Sequence, residues 1–95
     1  MEVMEVNQSN LKKFLHKKRV FITGHTGFKG GWLSLWLNQL GAEVKGYSLK
    51  PKSKKNFYSL THLNTLIHSE YGNILNKKKL RESIQEFKPQ ILFHL

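Results

Sequence analysis

Arg19-Val20-Phe21-Ile22-Thr23-Gly24-His25-Thr26-Gly27-Phe28-Lys29-Gly30-Gly31-Trp32-Leu33 is the stretch that decides the fold. Val20, Phe21 and Ile22 form a short apolar run rich in strand-favouring residues, which reads as a buried β-strand. Glycines then recur at positions 24, 27 and 30. A helix is predicted beyond them. Trp32, Leu33, Trp36, Leu37 and Leu40 share one stripe, Ser34 and Asn38 face away, and Gly41 supplies the stop. Glu43 to Ser48 reads as a second strand, with Val44 and Gly46 on one face and Lys45 and Tyr47 on the other. Strand, glycine loop, helix and strand in that order make the opening βαβ unit of a parallel sheet.

Working outward, residues 1 to 17 hold no sustained period, although Leu11, Phe14 and Leu15 suit one short amphipathic turn. Lysines with Pro51 and Ser53 mark a loop from Leu49 to Asn56. Leu60, Leu63 and Leu66 predict a short helix from Phe57 to Leu66, and Ile67 to Tyr71 a third strand. Lys77 to Phe87 is a clearer helix, with Leu80, Ile84 and Phe87 on one face, Glu82 and Glu86 on the other, and Pro89 closing it. Ile91 to Leu95 is a fourth strand. The fold class expected is α/β: the N-terminal part of a doubly wound, parallel-sheet Rossmann dinucleotide-binding domain. Residues 1–18 would be an extension and 19–95 a partial domain, cut after its fourth strand, because a buried parallel strand expects a following helix.

Composition narrows the function. The 95 residues carry a formal charge of +10 and no cysteine, which excludes disulfides, thiolate metal sites and a cysteine nucleophile. Every acid is Glu, so no chemistry here uses Asp. The N-terminal Met-Glu-Val-Met-Glu does not resemble a signal peptide, and no apolar run is long enough to span a membrane. The charge raises nucleic-acid binding, but all the basic residues except Arg19 and Arg81 are lysines, clustered at expected loops and helix ends. That pattern fits a solvated surface better than base or phosphate recognition, which favours bidentate arginine. His16, His25, His62, His68 and His94 lack metal-ligand spacing. His25 is expected to pack the loop or meet a phosphate, His94 to be buried and satisfied, and Trp32 and Trp36 to belong to the core.

The glycine loop carries the chemistry. Gly24 allows a sharp turn out of the strand, Gly27 lets the backbone approach a pyrophosphate, and Gly30 lets helix and strand pack closely. The anion would meet the amides of Phe28 and Lys29 at the helix N-terminus. The Lys29 ammonium either adds charge there or is simply solvated. A P-loop is excluded, since no Gly-Lys-Ser/Thr follows at the required spacing. At the end of strand two, where an acid often holds the adenosine ribose, stands Ser48. Ser48 can donate or accept one bond, and Lys50 nearby could attract a 2′-phosphate, so these residues alone do not separate NAD from NADP. Asn73 either meets the adenine edge or serves a turn.

Thr23-Gly24-His25-Thr26-Gly27-Phe28-Lys29-Gly30 resembles the start of the extended short-chain dehydrogenase/reductases, the NAD-dependent epimerase/dehydratase family. Continued by Trp32-Leu33, and with Gly46-Tyr47-Ser48-Leu49, Pro51, Phe57 and Ile91 to Leu95, it is similar to the CDP-glucose 4,6-dehydratase subfamily in particular. The resemblance runs from Arg19 to Leu95, with a diverged patch between Lys52 and Tyr71. Gly72-Asn73-Ile74 stands where the family has Gly-Asp-Ile, and Leu75-Asn76 where it has Arg-Asp.

The resemblance implies a lyase of nucleotide-sugar metabolism. A hydride passes from sugar C4 to NAD, water is eliminated across C5 and C6, and the hydride returns to C6. The substrate would be CDP-glucose and the product CDP-4-keto-6-deoxyglucose, a precursor of bacterial surface-polysaccharide sugars. It implies cofactor binding by Gly24, Gly27, Phe28, Lys29 and Gly30, and by Ser48, Asn73, Ile74 and Leu95. Catalytic residues are expected beyond Leu95. It also implies a cytoplasmic homo-oligomer with no metal, nucleic-acid or membrane partner. The other readings are a different NAD(P)-dependent nucleotide-sugar epimerase or reductase, and a non-catalytic basic nucleotide- or RNA-binding module.

Overall fold

Val20, Phe21 and Ile22 are fully buried because their strand lies in the middle of the sheet, with neighbours on both sides. The computed structural model describes residues 8–51, 53 and 55–95. The acidic N-terminal stretch, Lys52 and Lys54 lie outside the described residues. The elements in order are α1 (Gln8–Leu15), β1 (Arg19–Thr23), α2 (Phe28–Gln39), β2 (Glu43–Ser48) and α3 (Phe57–Leu60). A 3₁₀ turn (Leu63–Thr65), β3 (His68–Tyr71), α4 (Lys77–Phe87) and β4 (Ile91–His94) complete it. The sheet order is β3-β2-β1-β4, all pairs parallel. This is the expected α/β architecture, the N-terminal part of a Rossmann-like sheet.

While Leu92 of the edge strand β4 is exposed, both faces of the central strands are covered. On one, Val20, Ile22 and Val44 join Leu15, Leu37, Leu40, Leu63 and Ile67 in a single apolar cluster. α1 therefore contributes to this core through Leu15. On the other face Phe21 stacks near Tyr47 and meets Phe87 of α4, each at 6.4 Å between ring centroids. The polar groups on this side are paired. Lys45 Nζ lies 3.3 Å from Glu70 Oε1, and Ser83 Oγ donates to the same oxygen at 2.7 Å. Asn76 caps α4 by accepting from Lys79 N–H, and Lys88 ends it in the left-handed region just before Pro89.

Two expectations are corrected. Helix α2 buries Gly30, Gly31, Ser34 and Leu37, while Trp32 and Trp36 are about half exposed, at 52% and 47%. The small residues let the helix axis sit close to the strand, and that rotation turns the bulky indoles outward. Ser34, read as outward-facing, is buried and donates to Gly30 O at 2.7 Å. The predicted helix from Phe57 to Leu66 is likewise broken. Thr61 Oγ1 donates to Phe57 O, His62 turns left-handed at φ +52°, and only a 3₁₀ turn follows. Leu63 is buried, but Leu60 and Leu66 are exposed.

Removing a core side chain and removing an indole should therefore differ. Leu37→Ala is expected to lose about 2–5 kcal/mol, the usual range for a buried leucine. Trp36→Gln should lose about 1 kcal/mol or less, as at exposed positions. Urea unfolding of the two variants measures the contrast.

Candidate functional site

Parallel strands end together, so their carboxyl ends bring Thr23, Ser48, Gly72 and Leu95 to one rim of the sheet. A cleft of about 160 Å³ opens there, lined by Thr23, Gly24, Ser48, Leu49, Gly72, Asn73, Ile74 and Leu95. Five of the nine expected site residues, Gly24, Ser48, Asn73, Ile74 and Leu95, thus meet in one place. Gly27, Phe28, Lys29 and Gly30 lie beside it, at the start of α2, and do not line it. The cleft sits where the chain reverses direction across the sheet, with β2 and β4 on opposite sides of β1, the usual ligand position in open α/β sheets. A larger groove, about 580 Å³, lies at the opposite ends of the strands between Lys17, Glu43 and His68, away from the glycine loop.

Each loop glycine has a different physical reason. Gly24 sits at φ +85°, in the left-handed region, while its N–H holds Tyr47 O at 3.0 Å. A Cβ on Gly30 would overlap the Gly24 carbonyl oxygen and lie 2.7 Å from its carbon. Gly27 is different: its backbone is ordinary, at φ −79° and ψ 169°, and a Cβ there would touch only Gly24 O, at 3.4 Å. Nothing inside the fold demands glycine at this position. It faces open space at the helix N-terminus, where among the described residues no side chain caps the first-turn amides of Phe28 and Lys29. Such a cradle, which a Cβ would fill, fits a diphosphate. Phe28 and Lys29 are themselves exposed, the Phe28 ring resting edge-on against Phe57.

Hydroxyl groups that sequence reasoning left without a role organise the rim. Thr23 Oγ1 lies 2.7 Å from His94 Nδ1 and accepts from Leu95 N–H at 3.2 Å, tying β4 to the loop. His94, expected to be buried, is exposed at this sheet edge. Thr26 Oγ1 donates to Leu49 O at 3.0 Å and lies 2.8 Å from Ser48 Oγ. The only sequence signal for these contacts was a threonine on either side of Gly24-His25. Asn73 Oδ1 accepts from Leu75 N–H at 2.9 Å, so the turn role is real. Tyr47 OH donates to Asn73 O at 3.2 Å, and a Cβ on Gly72 would strike that ring.

His25 points inward, beneath the loop. Its ring is fully buried against Gly46, where a Cβ would lie 2.5 Å from Nδ1. Nε2 meets Ser69 Oγ at 2.6 Å, and Ser69 leads on to Tyr58 OH at 2.7 Å and Tyr71 OH at 2.8 Å. Loop packing is therefore its role. Among the described residues no group of three or more His, Cys, Asp or Glu could hold a metal ion. No helix among them is long and apolar enough to cross a membrane.

Known proteins match this arrangement. The model of the NAD dependent epimerase/dehydratase family matches residues 20–95. CDP-glucose 4,6-dehydratase of Salmonella typhimurium is 54% identical over 84 residues, covering 88% of this chain and 23% of that protein. The solved structure of an epimerase from Methanothermobacter thermautotrophicus superposes with a TM-score of 0.74, covering 98% of this chain and 26% of that one. At 23% identity, that likeness is one of fold. The chain spans about a quarter of the length of both relatives.

Burial lowers the His25 pKa from 6.5 to about 4. The unfolded chain takes up this proton near pH 6.5 and the folded chain only near 4, so protons favour unfolding between those values. Stability should be full above about pH 6.5 and fall by about 3 kcal/mol as pH drops to 4. Denaturant midpoints across this range should slope in the wild type. The slope should be much reduced in His25→Gln.

Proposed function

The chain belongs to the NAD dependent epimerase/dehydratase family, and from that premise we propose that it forms the cofactor-binding part of a CDP-glucose 4,6-dehydratase. The identity of 54% to the Salmonella enzyme supports the substrate. The observation that carries cofactor binding is Gly27, a glycine that the fold does not need, facing open space beside uncapped helix amides. The diphosphate would lie there, against the Phe28 and Lys29 amides and near the Lys29 ammonium. Ser48 would receive the adenosine ribose. Asn73 and Ile74 would border the adenine, Asn73 offering its amide hydrogens since Leu75 occupies its oxygen. Leu95 would close the side of the cleft next to Gly24. When bound, NAD supplies a hydride acceptor that later returns the hydride to the sugar.

These residues bind and orient; they do not move protons on the sugar. Residues 19–95 serve as the dinucleotide-binding segment, and the acid, base and sugar-binding groups lie outside it. The enzyme is a cytoplasmic lyase and a homo-oligomer in this reading. The product feeds surface-polysaccharide sugars.

Two glycine substitutions separate binding from folding. Gly27→Val should leave the thermal transition within about 1 kcal/mol of wild type and abolish NAD binding by calorimetry. Gly30→Ala should destabilise the fold by about 1–3 kcal/mol through overpacking against the Gly24 carbonyl. NAD affinity unchanged in Gly27→Val would remove the proposed diphosphate site. Conversion of CDP-glucose to a 4-keto product by the intact protein tests the reaction itself.

A further inference from the structure

Ser48 does not stand alone at the rim. Its Oγ lies 2.8 Å from Thr26 Oγ1, which also lies 3.0 Å from the Leu49 carbonyl oxygen. Each hydroxyl carries one proton, and a carbonyl oxygen carries none to give. Thr26 must therefore donate to Leu49 O, which leaves only its lone pairs for Ser48. Ser48 then donates to Thr26, and its own proton is spent inside the loop. What remains on Ser48 Oγ is acceptor capacity, in a residue that lines the cleft beside Gly24 and Asn73.

We propose that Thr26 is a specificity-determining positioning residue: it holds the Ser48 hydroxyl as a hydrogen-bond acceptor, so that the cleft selects a dinucleotide with a free ribose 2′-hydroxyl over one with a 2′-phosphate. A ribose hydroxyl has a proton to give to such an acceptor. A 2′-phosphate near neutral pH presents acceptor oxygens to an acceptor, with no bond formed and lone pairs opposed. Ser48 thus does the work of a carboxylate acceptor without its charge. Lys50, exposed two residues further on, is the group that could reward a 2′-phosphate, and it opposes the selection. The inference rests on the dinucleotide reading of the cleft.

The test is calorimetric titration of the intact protein with NAD and with NADP, together with ligand-free thermal melts. The wild type should bind NAD more tightly. Thr26→Val frees the Ser48 proton for donation and should lower the NAD-to-NADP affinity ratio about tenfold, the scale of one hydrogen bond. Thr26→Ser restores the hydroxyl and should restore the ratio, which a purely structural role for the threonine methyl would not predict. Should Thr26→Val fail to melt cooperatively, Ser48→Ala removes the acceptor and should produce the same fall. A wild type that prefers NADP overturns the proposal. So does an unchanged ratio in a Thr26→Val that melts cooperatively and still binds NAD, or in Ser48→Ala where Thr26→Val does not fold. A wild type that binds neither dinucleotide overturns the dinucleotide reading, and the selection with it.

Discussion

The carbonyl of Gly24 and the backbone of Gly30 lie so close that no Cβ fits between them. That contact sets the approach of α2 to β1, and much else follows from it. A helix pressed this near to a strand has room on its inner face only for small groups, and Gly30, Gly31 and Ser34 supply them. Leu37 reaches the core one turn after Ser34. The tryptophans are left on the outer flank. There Trp32 stacks on Phe57 at 4.9 Å between ring centroids and covers the start of α3. The same approach points the first-turn amides of α2 past Gly27 toward open space.

Beneath and around the loop, hydroxyls and a buried imidazole take the place of charge. His25 fills the hollow above Gly46 and connects through Ser69 to Tyr58 and Tyr71. Thr23 ties in the end of β4, and Thr26 ties in the end of β2. The contacts of Thr23, His25 and Thr26 each join the first strand or its loop to a residue more than 20 positions away. The imidazole stays neutral because burial disfavours its charge. The loop is therefore held in place by uncharged partners.

Residue pattern made most of the framework legible. The run Val20-Phe21-Ile22, the glycines after it and the alternation in Glu43 to Ser48 identify β1, the turn and β2, because each signal is local and strong. Lys77 to Phe87 is equally plain, with its stop before Pro89. Legibility failed where two patterns compete. Leucines at 60, 63 and 66 imitate a helical face, yet Thr61 and the left-handed His62 end α3 after Leu60. Asn73 offered a base contact and a turn, and only the fold shows its side-chain oxygen accepting from Leu75 N–H in the turn.

What the sequence by itself determined is the order of elements, the parallel α/β class and the position of the glycine loop. These depend on periodicity and on backbone freedom, which neighbouring residues set among themselves. Tertiary structure decided the buried face of α2, the inward turn of His25 and the gathering of Gly24, Ser48, Asn73, Ile74 and Leu95 around one cleft. It also decided the direction of the hydrogen bonds at Ser48, since the proton on that hydroxyl depends on Thr26, 22 residues away, and on what Thr26 finds beyond it. Periodicity reports which residues share a face. It cannot report how close the partner comes, and in this fold closeness selects between glycine and tryptophan, and between donor and acceptor.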